Sequence, residues 1–250
     1  MKILKKIFVS AVLLCFSINL SLAQKMYNIH QDNVKPSKLM DYEKIAKEFN
    51  EACKEHNVQM GWLAATTDDL KYLYISPIEK MADLDKQPFV DMAKAMGDKF
   101  GEMFERFDEC YDSHGNYIIV LDEELSYMPD GITQMQEGQN HRKWVYMYYK
   151  PKNAQKVRDG FKAVKKLFET KNSPEHYRVY RSGFGTMESF YMVAISSKDE
   201  VDAAQRAKAN QDVLGSWEER WEVFSQVMNN TSRMEEYNGD MRPDLSYTPK

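Results

Sequence analysis

Leu125-Ser126-Tyr127-Met128-Pro129 is written a second time as Leu245-Ser246-Tyr247-Thr248-Pro249, and upstream of each copy stands another matched block. Phe100-Gly101-x-Met103-Phe104-Glu105-Arg106-Phe107 returns as Leu214-Gly215-x-Trp217-Glu218-Glu219-Arg220-Trp221. Two blocks in the same order, at a spacing of about 120 residues, mark an internal duplication. A third match preserves a buried face: Ile45, Phe49, Ala52 and His56 align by one constant shift with Val157, Phe161, Val164 and Phe168. The expected organisation is a first repeat over residues 24–127, a linker over 128–142 and a second repeat over 143–250.

Residues 1–23 read as an export signal. Lys2, Lys5 and Lys6 form a basic start, an apolar run follows, and Ser21-Leu22-Ala23 is a small-x-small cleavage site before Gln24. The apolar run is too short to span a bilayer, so a periplasmic or secreted chain with no membrane segment after cleavage is expected. Removing the three lysines takes the formal net charge from −4 to about −7, which gives no general attraction to nucleic acid or anionic lipid. With 43% hydrophobic and 29% charged residues the chain has the composition of a folded domain with a full core.

Within each repeat the periodicity alternates between strand and helix. In the first, a strand is predicted over 26–30, a helix from Pro36, a hairpin over 60–67 and 72–76, a long helix over 88–110 and a strand over 117–121. His114-Gly115-Asn116 is expected to stop the long helix. The second repeat gives a strand over 143–149, a helix from Asn153, a hairpin over 177–184 and 189–195, and a helix over 201–228 burying Leu214, Trp217, Trp221 and Phe224. A weak last strand is predicted over 234–237. Each repeat is therefore β-α-β-β-α-β, an α+β arrangement with two helices over one face of an antiparallel sheet.

This order, doubled in one chain, resembles the dimeric α/β-barrel superfamily, whose members include antibiotic-biosynthesis-monooxygenase-like, NIPSNAP-like and, more distantly, haem-binding chlorite dismutase-like proteins. The resemblance implies two ferredoxin-like repeats with their sheets packed face to face as a pseudo-dimeric barrel, and a space between them that is either filled or ligand-binding. It also implies that the helices carrying Cys53 and Cys110 run antiparallel, which would put the thiols beyond bridging distance. A haem in such relatives takes its ligand from a helix of the second repeat. Here those helices have no histidine and only His176 is at hand, so no cofactor is expected.

No catalytic motif of these families is present. The five histidines, His30, His56, His114, His141 and His176, lie on separate elements without zinc-type spacing, so no metal site is expected. Asp122-Glu123-Glu124 reads as a solvated strand end. The residues expected to line the inter-sheet space are Trp62, Tyr72, Tyr146 and Tyr148, with one of Arg178 and Arg181, which stand three apart on a strand and face opposite sides. An inward arginine beside aromatic rings would hold a carboxylate or phosphate on an aromatic ligand, and the competing expectation is a solvated arginine on an edge strand. Three functions are compatible with this pattern: an exported protein binding a small, partly aromatic or apolar molecule, a cofactor-independent monooxygenase-like enzyme, and a structural or partner-binding module with a filled barrel.

Overall fold

Alternation along the strands builds two cores at once. The computed structural model describes residues 25–250, and the leader expected over 1–23 lies outside them. In β1 (Met26–Val34), Tyr27 and Ile29 join a cluster on the inner side of the sheet, while Val34 joins a cluster under the helices. The elements that follow are α1 (Leu39–Glu55), β2 (Leu63–Thr67), β3 (Lys71–Ile78), α2 (Val90–Met96), α3 (Asp98–Asp108) and β4 (Tyr111–Leu121). The second half supplies β5 (His141–Tyr148), α4 (Ala154–Lys171), β6 (Tyr177–Ser182), β7 (Phe190–Ser197), α5 (Glu200–Leu214), α6 (Trp217–Met228) and β8 (Arg233–Met241).

The eight strands close into one antiparallel barrel in the order β1-β3-β2-β8-β5-β7-β6-β4. Both halves use the same internal order, β4-β1-β3-β2 and β8-β5-β7-β6. The two four-stranded sheets do more than face each other. Their edges are hydrogen-bonded to each other, β2 to β8 and β4 to β6, so the sheets form one continuous wall and no edge is left open.

The repeated Leu-Ser-Tyr stretches are what fasten these seams. Each ladder is short: Ala65, Thr66 and Thr67 face Met241, Asp240 and Gly239, and Ile119, Val120 and Leu121 face Ser182, Arg181 and Tyr180. Beyond β4 the chain turns, and the Ser126 hydroxyl donates to the Asp122 carbonyl at 2.7 Å and accepts from the Val179 N–H at 2.9 Å. Tyr127 then exchanges two backbone hydrogen bonds with Tyr177. Beyond β8, Ser246 donates to the Arg242 carbonyl at 2.9 Å and accepts from the Ala64 N–H at 2.8 Å, and Tyr247 exchanges two bonds with Trp62. A serine hydroxyl thus replaces a ladder partner at both seams. Beside one clip Arg158 of α4 pairs with Asp122. Beside the other Arg242 pairs with Glu43 of α1, with the charges exchanged. The Asp122-Glu123-Glu124 run is therefore not simply solvated, since Asp122 is buried in this pair and Glu124 meets Arg158 and Lys162.

At Gly239 the β2–β8 seam is so close that a Cβ would run into the Thr66 carbonyl. Two long helices expected from periodicity are broken. Gly97, at φ 58°, separates α2 from α3, and Gly215, at φ 102°, separates α5 from α6. Gly101, matched to Gly215 by sequence, lies inside α3. The break re-aims α6: the Ser216–Glu219 capping box starts a new helix whose Val223, Phe224 and Val227 pack against α4. Trp217 and Trp221, expected inside, are 61% and 42% exposed and stack on each other. His114, Gly115 and Asn116 do not stop a helix. Pairing with β1 draws them into β4, which begins at Tyr111.

Candidate functional site

Eight strands enclose a lumen wide enough for side chains or one small ligand. Here the rings of Tyr27, Trp144, Tyr146, Tyr180 and Phe190 share it with aliphatic side chains of the other strands. Trp144 lies between two cavities and lines both, one of about 300 Å³ toward the β2–β3 and β6–β7 hairpins and one of about 460 Å³ at the opposite end.

The larger cavity has a largely apolar wall of Tyr27, Trp62, Leu63, Ile75, Ile119, Trp144, Tyr180 and Met192, closed in part by Tyr247, Thr248 and Pro249 of the second clip. Arg142 and Arg178 also line it, 2% and 3% exposed. Both are inward residues, Arg142 of β5 and Arg178 of the seam strand β6. The segment before β5, expected to be only a linker, lies across this end of the barrel: Ile132 and Met135 pack on the inner core. Its carbonyls receive the guanidinium groups. Arg178 donates to the Thr133 carbonyl and the Ser196 hydroxyl, each at 2.6 Å, and Arg142 donates to the carbonyls of Gln134, Gln139 and His141. Gln134 also accepts the Tyr180 hydroxyl.

These are hydrogen bonds to neutral acceptors, and among the described residues neither arginine has a carboxylate partner in an ion pair. Burial, followed by repulsion from Arg178, pushes Arg142 down to about 10, and burial likewise lowers Arg178. The Arg178 Nε–H is buried with no acceptor. Two buried guanidinium groups held by neutral acceptors on a largely apolar wall would be favoured further by an anion.

The smaller cavity is lined by tyrosines. Tyr148 and Tyr237 donate to Glu235 Oε2 at 3.0 and 3.1 Å, and Lys71 Nζ stands 3.8 Å above the Tyr237 ring. Burial raises Tyr117 to about 12 and pushes Tyr146 well above the ordinary phenol range.

Of the residues expected from sequence, Trp62 and Arg178 line the larger cavity and Tyr146 and Tyr148 the smaller, so the four do not form one site. Tyr72 is corrected: it points to the helices, packs on Tyr42 and donates to Glu43. Its neighbour Leu73 takes the inward position. Arg181 lines neither cavity, because Arg178 and Tyr180 hold the inward register of β6. Sequence reasoning missed Arg142, Gln134, Trp144 and Glu235. Alternation from Tyr146 and Tyr148 could have found Trp144 and Arg142 as inward residues.

Among the described residues, no histidine or cysteine lines either cavity. Cys53 and Cys110 are free and buried in the helix-side clusters. The histidines are less scattered than expected: His30 and His114 meet beside Asp32 on the outer side of the barrel.

No protein-family model matches the chain, and no curated protein matches it. Solved structures do. An anthrone oxidase-like protein is similar at TM-score 0.57 and 13% identity, over 87% of this chain and 91% of its own. A proposed monooxygenase from Fusobacterium nucleatum matches at 0.54 and 13%, over 88% and 93%. A mutant chlorite dismutase from Candidatus Nitrospira defluvii matches at 0.54 and 9%, over 88% and 92%. The shared property is the fold, an antiparallel barrel of eight strands with helices packed outside it.

Proposed function

We propose that the chain is a cofactor-independent, monooxygenase-like enzyme whose substrate is an electron-rich hydroxyaromatic molecule held in the larger cavity. The observation that carries this is the pair of buried guanidinium groups, Arg142 and Arg178, facing an aromatic space of about 460 Å³, within the range that small-molecule sites occupy. Fixed positive charge on a water-poor wall stabilises an aromatic oxyanion or its delocalised carbanion, and that anion gives up an electron to dioxygen far more readily than the neutral molecule. For an anthrone-type substrate the balance is a ring CH₂ and O₂ giving a ketone and water, with no external reductant. The likeness to an anthrone oxidase-like fold supports this choice of substrate class.

A second reading is supported by the lining itself. Among the described residues, the larger cavity presents no carboxylate or histidine to take a proton, which suits an exported protein that only binds such an anion. We place either activity outside the cytoplasm on the strength of the N-terminal leader, and the mature chain is expected to begin at Gln24. The common fold of the two halves supports their origin in one doubled unit.

The test uses 1,8-dihydroxyanthrone and an anthracene carboxylate with the full chain and Arg178→Met. Oxygen uptake equal to ketone formed, lost in the variant, supports the enzyme. Tryptophan quenching without oxygen uptake supports binding alone. The absence of both responses refutes both readings.

A further inference from the structure

The antiparallel register of β1 and β4 sets His30 opposite Asn116 and Asp32 opposite His114. All four lie on the outer side of the wall, because Ile29 holds the inner face of β1 and Gln31 lines the lumen. Asp32 is buried there, and its two oxygens have different surroundings. Oδ2 accepts from the buried Tyr42 hydroxyl at 2.6 Å, and Tyr42 in turn meets the Tyr74 hydroxyl at 2.9 Å. Oδ1 is buried without a properly aligned hydrogen-bond donor. It stands 3.1 Å from His30 Nε2 and 3.9 Å from His114 Nδ1.

The far nitrogen of His30, Nδ1, lies 3.1 Å from the Asn116 side-chain oxygen, which can only accept. His30 thus has Asn116 at one ring nitrogen and Asp32 at the other, and Asp32, 4% exposed, aims an oxygen with no aligned donor into the space between the two imidazoles. The three ligand atoms fall within 4.8 Å of one another. Donors about 2.1 Å from a tetrahedral ion are about 3.4 Å apart, between the two distances seen from Asp32. His114 is 54% exposed, so its ring can close the remaining gap by rotation.

We infer that His30, Asp32 and His114 form a site for one divalent first-row transition ion of the zinc or copper type, outside the barrel and independent of its lumen. Two imidazoles and one carboxylate favour such ions over magnesium or calcium, which take all-oxygen sets. Asn116 and Tyr42 supply the outer hydrogen bonds that orient ligands at metal sites. Three protein ligands leave a position for water or an incoming group.

The test is calorimetric titration of the untagged full chain, freed of metal by chelation, with zinc chloride at neutral pH. The expected result is one ion per chain, weakened at least about tenfold in His114→Ala and in His30→Ala, with His176→Ala unchanged. Cobalt(II) should give a visible ligand-field spectrum in the wild type that His114→Ala lacks. Because His114 is on the surface, its loss leaves the fold intact. The inference is overturned if the wild type takes up no zinc, leaving Asp32 paired with a protonated His30, or if uptake is equal in the histidine variants.

Discussion

Replacing Ser126 by alanine tests whether the repeated clips hold the barrel shut. The hydroxyl is the acceptor for the Val179 N–H at 2.9 Å, and Val179 is wholly buried. Its removal strands that N–H, while the Asp122 carbonyl, which the hydroxyl also meets, keeps its backbone donors from Leu125 and Ser126. A buried donor left without a partner costs about 1–3 kcal/mol. Ser246→Ala does the same to the buried Ala64 N–H at the other seam. The two sites share no partner, so the double variant should lose about 2–6 kcal/mol. In a domain of this length each kcal/mol lowers Tm by about 2–4 °C, so each single variant should melt roughly 2–12 °C below the wild type. Thermal denaturation gives the magnitude, and amide hydrogen exchange gives the place: Val179 should exchange faster in Ser126→Ala, and Ala64 in Ser246→Ala. Two variants that melt with the wild type, or amides whose protection does not change, would refute the account of the seams.

Gly239→Ala forces a methyl into the Thr66 carbonyl and should destabilise by about 1–3 kcal/mol or more, seen as a lower urea midpoint with exchange rising first in β2 and β8. Arg242 hydrogen-bonds Glu43 and Asp244 and holds both carboxyls below their ordinary values, Asp244 at about 2. The unfolded chain then binds those protons more readily, so the stabilisation is complete above about pH 4.5 and is lost as pH falls toward 2. The gap in urea midpoint between wild type and Arg242→Met should therefore narrow over that window, and a constant gap would count against it. Trp217→Ser should change stability by no more than about 0.5 kcal/mol, as expected of a surface site, whereas a buried tryptophan would cost several times that in the same melt. Cys53, raised to about 12 by burial, and buried Cys110 should resist a thiol reagent in the native state and both react in denaturant; a disulfide would leave neither reactive.

Local pattern was sufficient for everything that depends on a residue's own neighbours in the chain. The 3.6-residue stripe of Tyr42, Ile45, Ala46 and Cys53 announced α1, and alternation announced the hairpins. What it could not carry was phase and register. Moving a helix start past Gly215 turned Trp217 and Trp221 from core into surface, and one residue of strand phase put Tyr72 under the helices and Leu73 in the lumen. The sites depend on pairings between residues far apart in the chain. Arg178 meets Thr133 because the crossing segment spans the barrel end, and Asp32 meets His114 because β4 pairs with β1. Side chains of such partners are brought within a few ångströms only by the closed sheet, so the chemistry of this protein is a property of the closure and not of any stretch that enters it.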